Sequence, residues 1–211
     1  MYAKEVMPGV YLIDNFINKD TCDFIINSMS SKIVLDNDQK GVYGALGTKD
    51  KNPYSFKGEY SKNEKYYNVS LDLINNIFFA MKDLASNIYG QEHILKQTFY
   101  SCMTSGGKNP QHIDNYNDEY SEDKSAILYL NDTYYGGELY FNKQDVKLKL
   151  NPGSLLIFKG DETRPHEVLE VQGGKRYNLI TFFEPKNFKG NFQVQKKFWF
   201  GFGTFSQLVA I

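Results

Sequence analysis

The stretch SAILYLNDTYYGGELYFNKQDVKLKLNPGSLLIF, residues 125–158, alternates short apolar runs with turn residues. Short runs rich in branched and aromatic side chains predict β-strands when Gly, Pro and Asn bound them. Two such turn signals, Gly136-Gly137 and Asn151-Pro152-Gly153, divide this stretch into strands. Strands this short and this closely spaced favour a sandwich or a barrel.

The same pattern extends on both sides of this stretch and predicts a series of short strands from residue 94 onward. A Gly173-Gly174 pair predicts a turn between the last two of them. The predicted strands are Ile94–Met103, Ser125–Leu130, Glu138–Asn142, Val146–Leu150, Ser154–Phe158, His166–Val171 and Tyr177–Glu184.

Helical patterns precede these strands. Val10–Phe16 predicts a short strand, after which Asn18 supplies the N-cap of a first helix. Val69–Tyr89 carries a broad apolar stripe and stops at Gly90, which predicts a second helix. Residues 30–66 are polar, and we expect a long loop there, with room for one hairpin. The predicted fold class is mainly β, with two N-terminal α-helices that brace one face of a sheet.

Composition narrows the class of protein. The chain has 211 residues, of which 41% are hydrophobic, so we expect one globular domain over residues 1–211. The net charge is −1, and no segment of the sequence is dominated by Lys and Arg. A protein that binds nucleic acid normally carries a basic stripe, so a nucleic-acid partner is disfavoured. No apolar run is long enough for a membrane span or a signal peptide. Cys22 and Cys102 form no CxxC motif and are expected to be buried free thiols, which suits a cytoplasmic protein.

Two of the three histidines stand in contexts that suggest a metal site. His112-Ile113-Asp114 is an H-x-D pair, and on a strand the residues at i and i+2 face the same side. His166 lies several predicted strands later and can complete the set. Two histidines and one carboxylate on one face are the facial triad of non-haem iron(II) oxygenases. An H-x-D pair by itself is more often a surface turn or a structural hydrogen bond.

Arg176 opens the apolar strand YNLITFF and is one of only two arginines in the chain, the other being Arg164. A buried cation is costly unless it is paired. A dicarboxylate ligand can pair with a guanidinium through two parallel hydrogen bonds. An exposed strand start or a structural ion pair is the alternative interpretation.

The order of these motifs resembles the prolyl 4-hydroxylase-like branch of the 2-oxoglutarate/Fe(II)-dependent oxygenase superfamily. The similarity covers most of the chain apart from residues 30–66 and the tail, and residues 94–185 correspond to the catalytic core. The matching segments are VYLIDNFINKDTCDFII (10–26), HID (112–114), AILYLN (126–131), GGELYF (136–141), PGSLLIF (152–158), RPHEV (164–168) and GGKRYNLITFF (173–183).

This resemblance implies a double-stranded β-helix, or jelly roll, braced by the two helices. It implies Fe(II) ligation by His112, Asp114 and His166, and 2-oxoglutarate binding by Arg176 and Tyr129. It also suggests ascorbate as a cofactor. The implied reaction hydroxylates a substrate while 2-oxoglutarate is decarboxylated to succinate and CO2.

One position departs from the family pattern. Many members carry a tyrosine about nine residues before the first iron-binding histidine, where this chain has Met103. Tyr100 lies nearby on the same predicted strand. The sequence leaves open which of the two lines the cosubstrate pocket.

The family branch favours a peptidyl hydroxylase that acts on proline in a peptide or protein. The 30–66 segment could close over such a peptide through its aromatic residues, Tyr43, Tyr54, Phe56 and Tyr60. Three other functions remain open: hydroxylation of another residue or small molecule, nucleic-acid demethylation, and a non-catalytic jelly-roll binding module. The near-neutral charge disfavours the demethylase, and the complete ligand set disfavours the binding module.

Overall fold

The computed structural model describes residues 2–30, 41–45, 64–114 and 124–186. Within these ranges, two helices and twelve strands follow one another along the chain. They are β1 (Lys4–Met7), β2 (Val10–Ile13), α1 (Lys19–Ser30), β3 (Gly41–Ala45), α2 (Glu64–Tyr89), β4 (His93–Thr104), β5 (Asn109–His112), β6 (Lys124–Tyr129), β7 (Tyr134–Gly136), β8 (Leu139–Phe141), β9 (Val146–Leu148), β10 (Leu155–Lys159), β11 (His166–Val168) and β12 (Val171–Pro185).

The strands form two antiparallel sheets. The larger sheet runs in the order β1-β2-β10-β6-β12-β4-β3, and β7 pairs with one end of β12. The smaller sheet runs in the order β5-β11-β8-β9. Neighbours in both sheets are often distant in sequence, so most of the pairing is long-range.

Alternation along the central strands of the larger sheet creates two separate apolar cores. On β6, Ala126 and Leu128 belong to the core under the helices, whereas Ile127 and Tyr129 belong to the core shared with the smaller sheet. Successive side chains of a strand point to opposite faces, so every second residue enters the same core. We call the first the outer core and the second the inner core.

Both helices pack on the outer core. Asn18 caps α1 as predicted, because its Oδ1 accepts a hydrogen bond of 2.8 Å from the Thr21 backbone N–H. The described part of α2 ends at Tyr89, and Gly90 follows with φ +63°, a conformation that suits glycine. The prediction of a mainly β protein with one sheet face covered by two helices is confirmed. The buried helical residues of this core include Cys22, Ile25, Met29, Ile74, Phe78, Met81 and Ala85.

The predicted turn at Gly173-Gly174 is wrong. Both glycines lie inside β12, which runs without interruption from Val171 to Pro185. The pairing register of β12 with β7 shifts between Val171 and Gly173, and Gly174 adopts φ +79°. These glycines therefore form an irregular, bulge-like part of the strand, which lets β7 approach closely.

The expected loop over residues 30–66 is also partly wrong. Gly41–Ala45 is an edge strand that pairs with β4, and α2 already begins at Glu64. The sequence GVYGA has no apolar alternation of its own, so its strand conformation depends on pairing with β4 rather than on local propensity. Within the part of the chain that the structure describes, no helix has the length and apolarity needed to cross a membrane.

Both thiols should be inert while the protein is folded. Cys22 and Cys102 are free and buried, and burial raises the pKa of both, that of Cys22 to about 11. At pH 8 a thiol with that pKa is ionised in roughly one molecule in a thousand. We expect iodoacetamide to alkylate neither cysteine of the native protein at pH 8 and both after denaturation, as measured by intact-mass spectrometry. Rapid native alkylation of either one would contradict this burial.

Candidate metal centre

Strand pairing in the smaller sheet brings the two predicted histidine ligands together. β11 pairs with β5 so that His166 lies opposite His112, and their ring centroids are 4.5 Å apart. Asp114 follows two residues after the end of β5. His112 Nε2 lies 3.4 Å from Asp114 Oδ1, and His166 Nε2 lies 3.6 Å from Asp114 Oδ2. One ligand atom from each of the three residues lies within 4.8 Å of the others.

Backbone carbonyls orient both imidazoles. His112 Nδ1 lies 2.8 Å from the carbonyl oxygen of Pro110, and His166 Nδ1 lies 2.9 Å from that of Arg164. A carbonyl oxygen only accepts hydrogen bonds, so each Nδ1 carries the proton. The Nε2 atom of each ring therefore faces Asp114, and in the neutral ring its lone pair is available to a metal. Histidines that bind metals are held in this way by a partner on the second ring nitrogen.

Asp114 is held by contacts from the larger sheet. Ser125 Oγ on β6 donates a hydrogen bond of 2.5 Å to Asp114 Oδ2. Gly160 follows β10 and leaves no room for a side chain, because a Cβ there would lie 2.8 Å from Asp114 Cβ. The carboxylate therefore links the two sheets: its Oδ1 faces His112, and its Oδ2 faces both His166 and Ser125.

Burial and the mutual attraction of the three residues have opposite effects on their pKa values. Burial would raise the pKa of Asp114, but a hydrogen bond from His112, the charge of His166 and the Ser125 hydroxyl outweigh burial and lower it. Burial lowers the pKa of His112, but its hydrogen bond and attraction to Asp114 outweigh that effect and raise it. The pKa of His166 is lowered, chiefly by burial. Because a metal needs the unprotonated Nε2, protons and metal compete for His112.

An apolar wall stands behind His166. The ring centroids of Phe158 and Phe141 lie 5.0 and 5.8 Å from that of His166. Both phenylalanines belong to the inner core. This wall limits the positions that the imidazole can take. The donor set of two imidazoles and one carboxylate fits a non-haem iron(II) ion with open coordination positions.

Arg176 enters the same inner core from β12. Its side chain is fully buried and its strand register places it opposite Met103 of β4. The guanidinium carbon lies 5.2 Å from the ring centroid of Tyr129, which makes a cation–π contact. With its amide oriented to satisfy both of its polar atoms, Asn178 Oδ1 accepts a hydrogen bond of 2.5 Å from Arg176 Nη1.

Two tyrosine hydroxyls lie buried near this arginine. Tyr129 and Tyr134 are within the inner core, and neither hydroxyl has a hydrogen-bond partner of standard geometry among the described residues. Burial raises the pKa of both, that of Tyr134 to about 12, although the charge of Arg176 opposes the shift. Hydroxyl groups that stay protonated beside a cation can donate hydrogen bonds to an anion. This end of the core therefore fits one carboxylate of a dicarboxylic ligand.

The structure decides between the two residues that the sequence left open. Met103 lies in the inner core with Tyr129 and Tyr134, so it faces the space beside Arg176. Tyr100 lies in the outer core and packs on Tyr177 at a centroid distance of 6.0 Å. Tyr100 therefore does not replace the family tyrosine.

The residues expected to contact the substrate are not all in a loop. Tyr43 lies in strand β3, paired with Ser101 of β4, which corrects its assignment to a loop. Tyr54, Phe56 and Tyr60 lie outside the described residues. Sequence reasoning missed Ser125, Tyr134 and Gly160, because each acquires its role only through strand pairing. Of the three, Ser125 has a local signal, because it shares the alternation of Tyr129 on the same strand.

Comparisons with known proteins agree with this geometry. Residues 98–184 match the model of the 2OG-Fe(II) oxygenase superfamily, where 2OG is 2-oxoglutarate. A PKHD-type hydroxylase of Prochlorococcus marinus (strain MIT 9215) is 25% identical over 181 residues, covering 82% of this chain and 77% of the relative. Prolyl 3-hydroxylase 2 of Rattus norvegicus is 26% identical over 220 residues, covering 87% of this chain but 31% of that relative. The chain thus spans about a third of the latter protein.

A solved structure shares the fold. It is a prolyl hydroxylase from Trichoplax adhaerens in complex with a hypoxia inducible factor oxygen degradation domain peptide fragment. The TM-score is 0.55 at 18% sequence identity, and the match covers 84% of each chain. At this identity the likeness concerns the fold.

The three clustered ligands should bind a divalent metal ion. We expect His166→Ala to weaken Co(II) binding by roughly 100-fold or more, since loss of a residue that only orients a ligand already costs about 10–100-fold. Titration of the Co(II) absorption bands under anaerobic conditions measures this. His93→Gln is the matched control, because His93 is equally buried but packs between Tyr89 and Phe183. Unchanged Co(II) affinity in His166→Ala would remove the residue from the metal site.

Proposed function

We propose that this chain, whose residues 98–184 match the model of the 2OG-Fe(II) oxygenase superfamily, hydroxylates a residue of a peptide or protein, and that this residue is proline. In this proposal His112, Asp114 and His166 hold Fe(II), and Arg176 and Tyr129 hold 2-oxoglutarate. The two sheets are the two layers of a double-stranded β-helix. Ascorbate belongs to the proposal as an accessory reductant of the iron.

One observation carries the proposal: the histidine–aspartate cluster and the buried arginine open onto the same inner core. Phe141 and Phe158 contact His166 at one end of this core, and Tyr129 and Met103 lie beside Arg176 at the other. Three metal-ligating side chains and a separate guanidinium in one apolar space suit a ligand that chelates the metal and carries a second anionic group. 2-Oxoglutarate is such a ligand.

When bound, iron and 2-oxoglutarate supply the oxidising chemistry, with succinate and CO2 as products. The protein residues orient and shield these groups. The Pro110 and Arg164 carbonyls keep the proton on Nδ1 of each histidine, so that Nε2 is available as a ligand. In this proposal Arg176 would neutralise the distal carboxylate, and the Tyr129 and Tyr134 hydroxyls would donate hydrogen bonds to it. The apolar residues of the inner core exclude water from this space.

One relative and one structural neighbour support proline in a peptide as the substrate. The relative is prolyl 3-hydroxylase 2, which matches 87% of this chain. The structural neighbour described above is a prolyl hydroxylase that holds a peptide fragment. The described helices cover the outer face of the larger sheet, and His112, Asp114 and His166 lie on its other side. The helices therefore do not block the approach of a large substrate such as a peptide.

Mass spectrometry tests the substrate directly. The protein is incubated with Fe(II), 2-oxoglutarate, ascorbate and a library of proline-containing peptides, and with the same peptides in which alanine replaces proline. We expect one oxygen atom to be added to proline, with succinate formed in equal amount. Oxygen addition to the alanine-substituted peptides at the same rate, or to no peptide while a small molecule is oxidised, would contradict proline as the target.

The buried cation should govern cosubstrate binding. We expect Arg176→Ala to weaken 2-oxoglutarate binding by roughly 2–4 kcal/mol, as for a truncated buried charge pair, and to change metal affinity much less. Lys175→Ala is the matched control, because this neighbouring cation is exposed. Calorimetric titration of 2-oxoglutarate into the anaerobic metal-loaded protein measures cosubstrate binding in both variants. If Arg176→Ala binds normally and Lys175→Ala does not, the distal carboxylate is held by Lys175 instead.

A further inference from the structure

The three proposed metal ligands are not held equally by the fold. His112 and His166 lie on paired strands, so the backbone ladder fixes their relative position. Asp114 lies beyond the last residue of β5 and is outside that ladder. Its carboxylate nevertheless lies between the two Nε2 atoms and is largely buried, with a side-chain exposure of 7%. Contacts other than strand pairing must therefore define its orientation.

One hydrogen bond reaches this carboxylate from the larger sheet. Ser125 Oγ donates to Asp114 Oδ2 at 2.5 Å, and Ser125 is itself almost fully buried, with an exposure of 1%. Strand pairing fixes Ser125 on both sides, opposite Phe158 of β10 and Phe182 of β12. The hydroxyl is thus presented to Asp114 from the rigid centre of the larger sheet.

Gly160 packs against both Asp114 and Ser125. A Cβ at this position would lie 2.8 Å from Asp114 Cβ and 2.9 Å from Ser125 Oγ, and both distances are shorter than real Cβ contacts. The backbone after β10 therefore packs directly against both partners of the hydrogen bond. This close packing restricts how Asp114 and Ser125 can move relative to each other.

We propose that Ser125 is a positioning residue for the metal centre, which fixes the Asp114 carboxylate by a hydrogen bond to Oδ2 and leaves Oδ1 available to the metal. The inference rests on the proposed function, because it assigns a role toward the metal that the three ligands would hold. Ser125 does not ligate the metal itself. It acts through Asp114, as partners of ligating carboxylates do elsewhere.

Physical chemistry explains why one hydroxyl matters here. Hydrogen bonds to a charged group are stronger than those between neutral groups, and an ionised carboxylate accepts up to about four of them. A hydroxyl on one oxygen restricts rotation of the whole carboxylate plane. It also draws charge from that oxygen, which favours coordination through the other one. Among the described residues, loss of the hydroxyl would leave the plane to be set by the metal, the two histidines and the packing of Gly160.

The experiment compares Co(II) binding to Ser125→Ala and to the wild-type protein under anaerobic conditions, without cosubstrate or peptide. We expect Ser125→Ala to bind Co(II) about 10–100-fold more weakly and to shift the visible absorption bands of the bound ion. Ser154→Ala is the matched control: Ser154 is buried directly before β10 of the same sheet, and its Oγ donates to another aspartate, Asp14, at 3.4 Å. This control should bind Co(II) as the wild type does.

A second pair of variants separates the hydroxyl from packing. Ser125→Thr and Ser125→Val introduce side chains of nearly the same shape, of which only threonine keeps the hydroxyl. We expect the threonine variant to bind Co(II) at least about tenfold more tightly than the valine variant, as expected for a partner of a ligating carboxylate. Thermal unfolding of the metal-free variants shows whether each is folded. If Ser125→Ala does not fold, this pair alone decides.

The outcomes distinguish the two proposals. Failure of the wild-type protein to bind Co(II) would overturn the metal centre itself. Normal binding by the wild type, together with equal affinity and equal spectra in Ser125→Ala, would overturn the role of Ser125 alone. Equal losses in Ser125→Ala and Ser154→Ala, or equal affinities in the threonine and valine variants, would also overturn it.

Discussion

The period of two along β6 is the constraint on which the rest of the structure depends. This strand is central in the larger sheet, between β10 and β12. Its outward residues Ala126 and Leu128 pack under the helices, whereas Ser125, Ile127 and Tyr129 face the opposite side. A shift of register by one residue would place the apolar residues at the site and the polar ones under the helices. The packing of the outer core therefore fixes the chemistry of the inner one.

The same strand also sets the distance between the two ends of the site. Ser125 contacts Asp114 and Tyr129 contacts Arg176, and the two residues are four apart on one face. At the rise of a strand this separation is roughly 13 Å. An anionic cluster and a cation are thus held at opposite ends of one row of side chains. Because the row lies in a sheet with neighbours on both sides, the two ends cannot move independently. A ligand that contacts both ends meets a preorganised pair of charges.

The sequence predicted the parts of this arrangement that have a local signal. The apolar stripe of α2, the N-cap at Asn18 and the alternation of β6 and β10 are local patterns, and each is found in the structure. The residues His112, Asp114 and His166 were predicted from motif order and are clustered. What the sequence did not reveal depends on pairing between distant segments. Gly41–Ala45 becomes a strand only beside β4, and the Gly173-Gly174 pair continues β12 because β7 pairs with it. Ser125 and Gly160 reach Asp114 only after the two sheets have packed.

The position where this chain departs from the family pattern that it resembles illustrates how long-range pairing can bring a hydroxyl from another strand. Met103 presents a thioether beside Arg176 at the position where the family pattern has a tyrosine, so β4 supplies no hydroxyl at that point. Tyr134, from β7, brings a buried hydroxyl into the same inner core, and Gly137 lies so close that a Cβ would be 3.2 Å from both Tyr134 Cε2 and Arg176 Cδ. The irregular pairing of β12 at Gly173 and Gly174 is what admits β7 to this place. The glycines that misled the strand prediction therefore also allow a second tyrosine to approach Arg176. Methionine can fill the space that remains because its side chain is flexible and apolar.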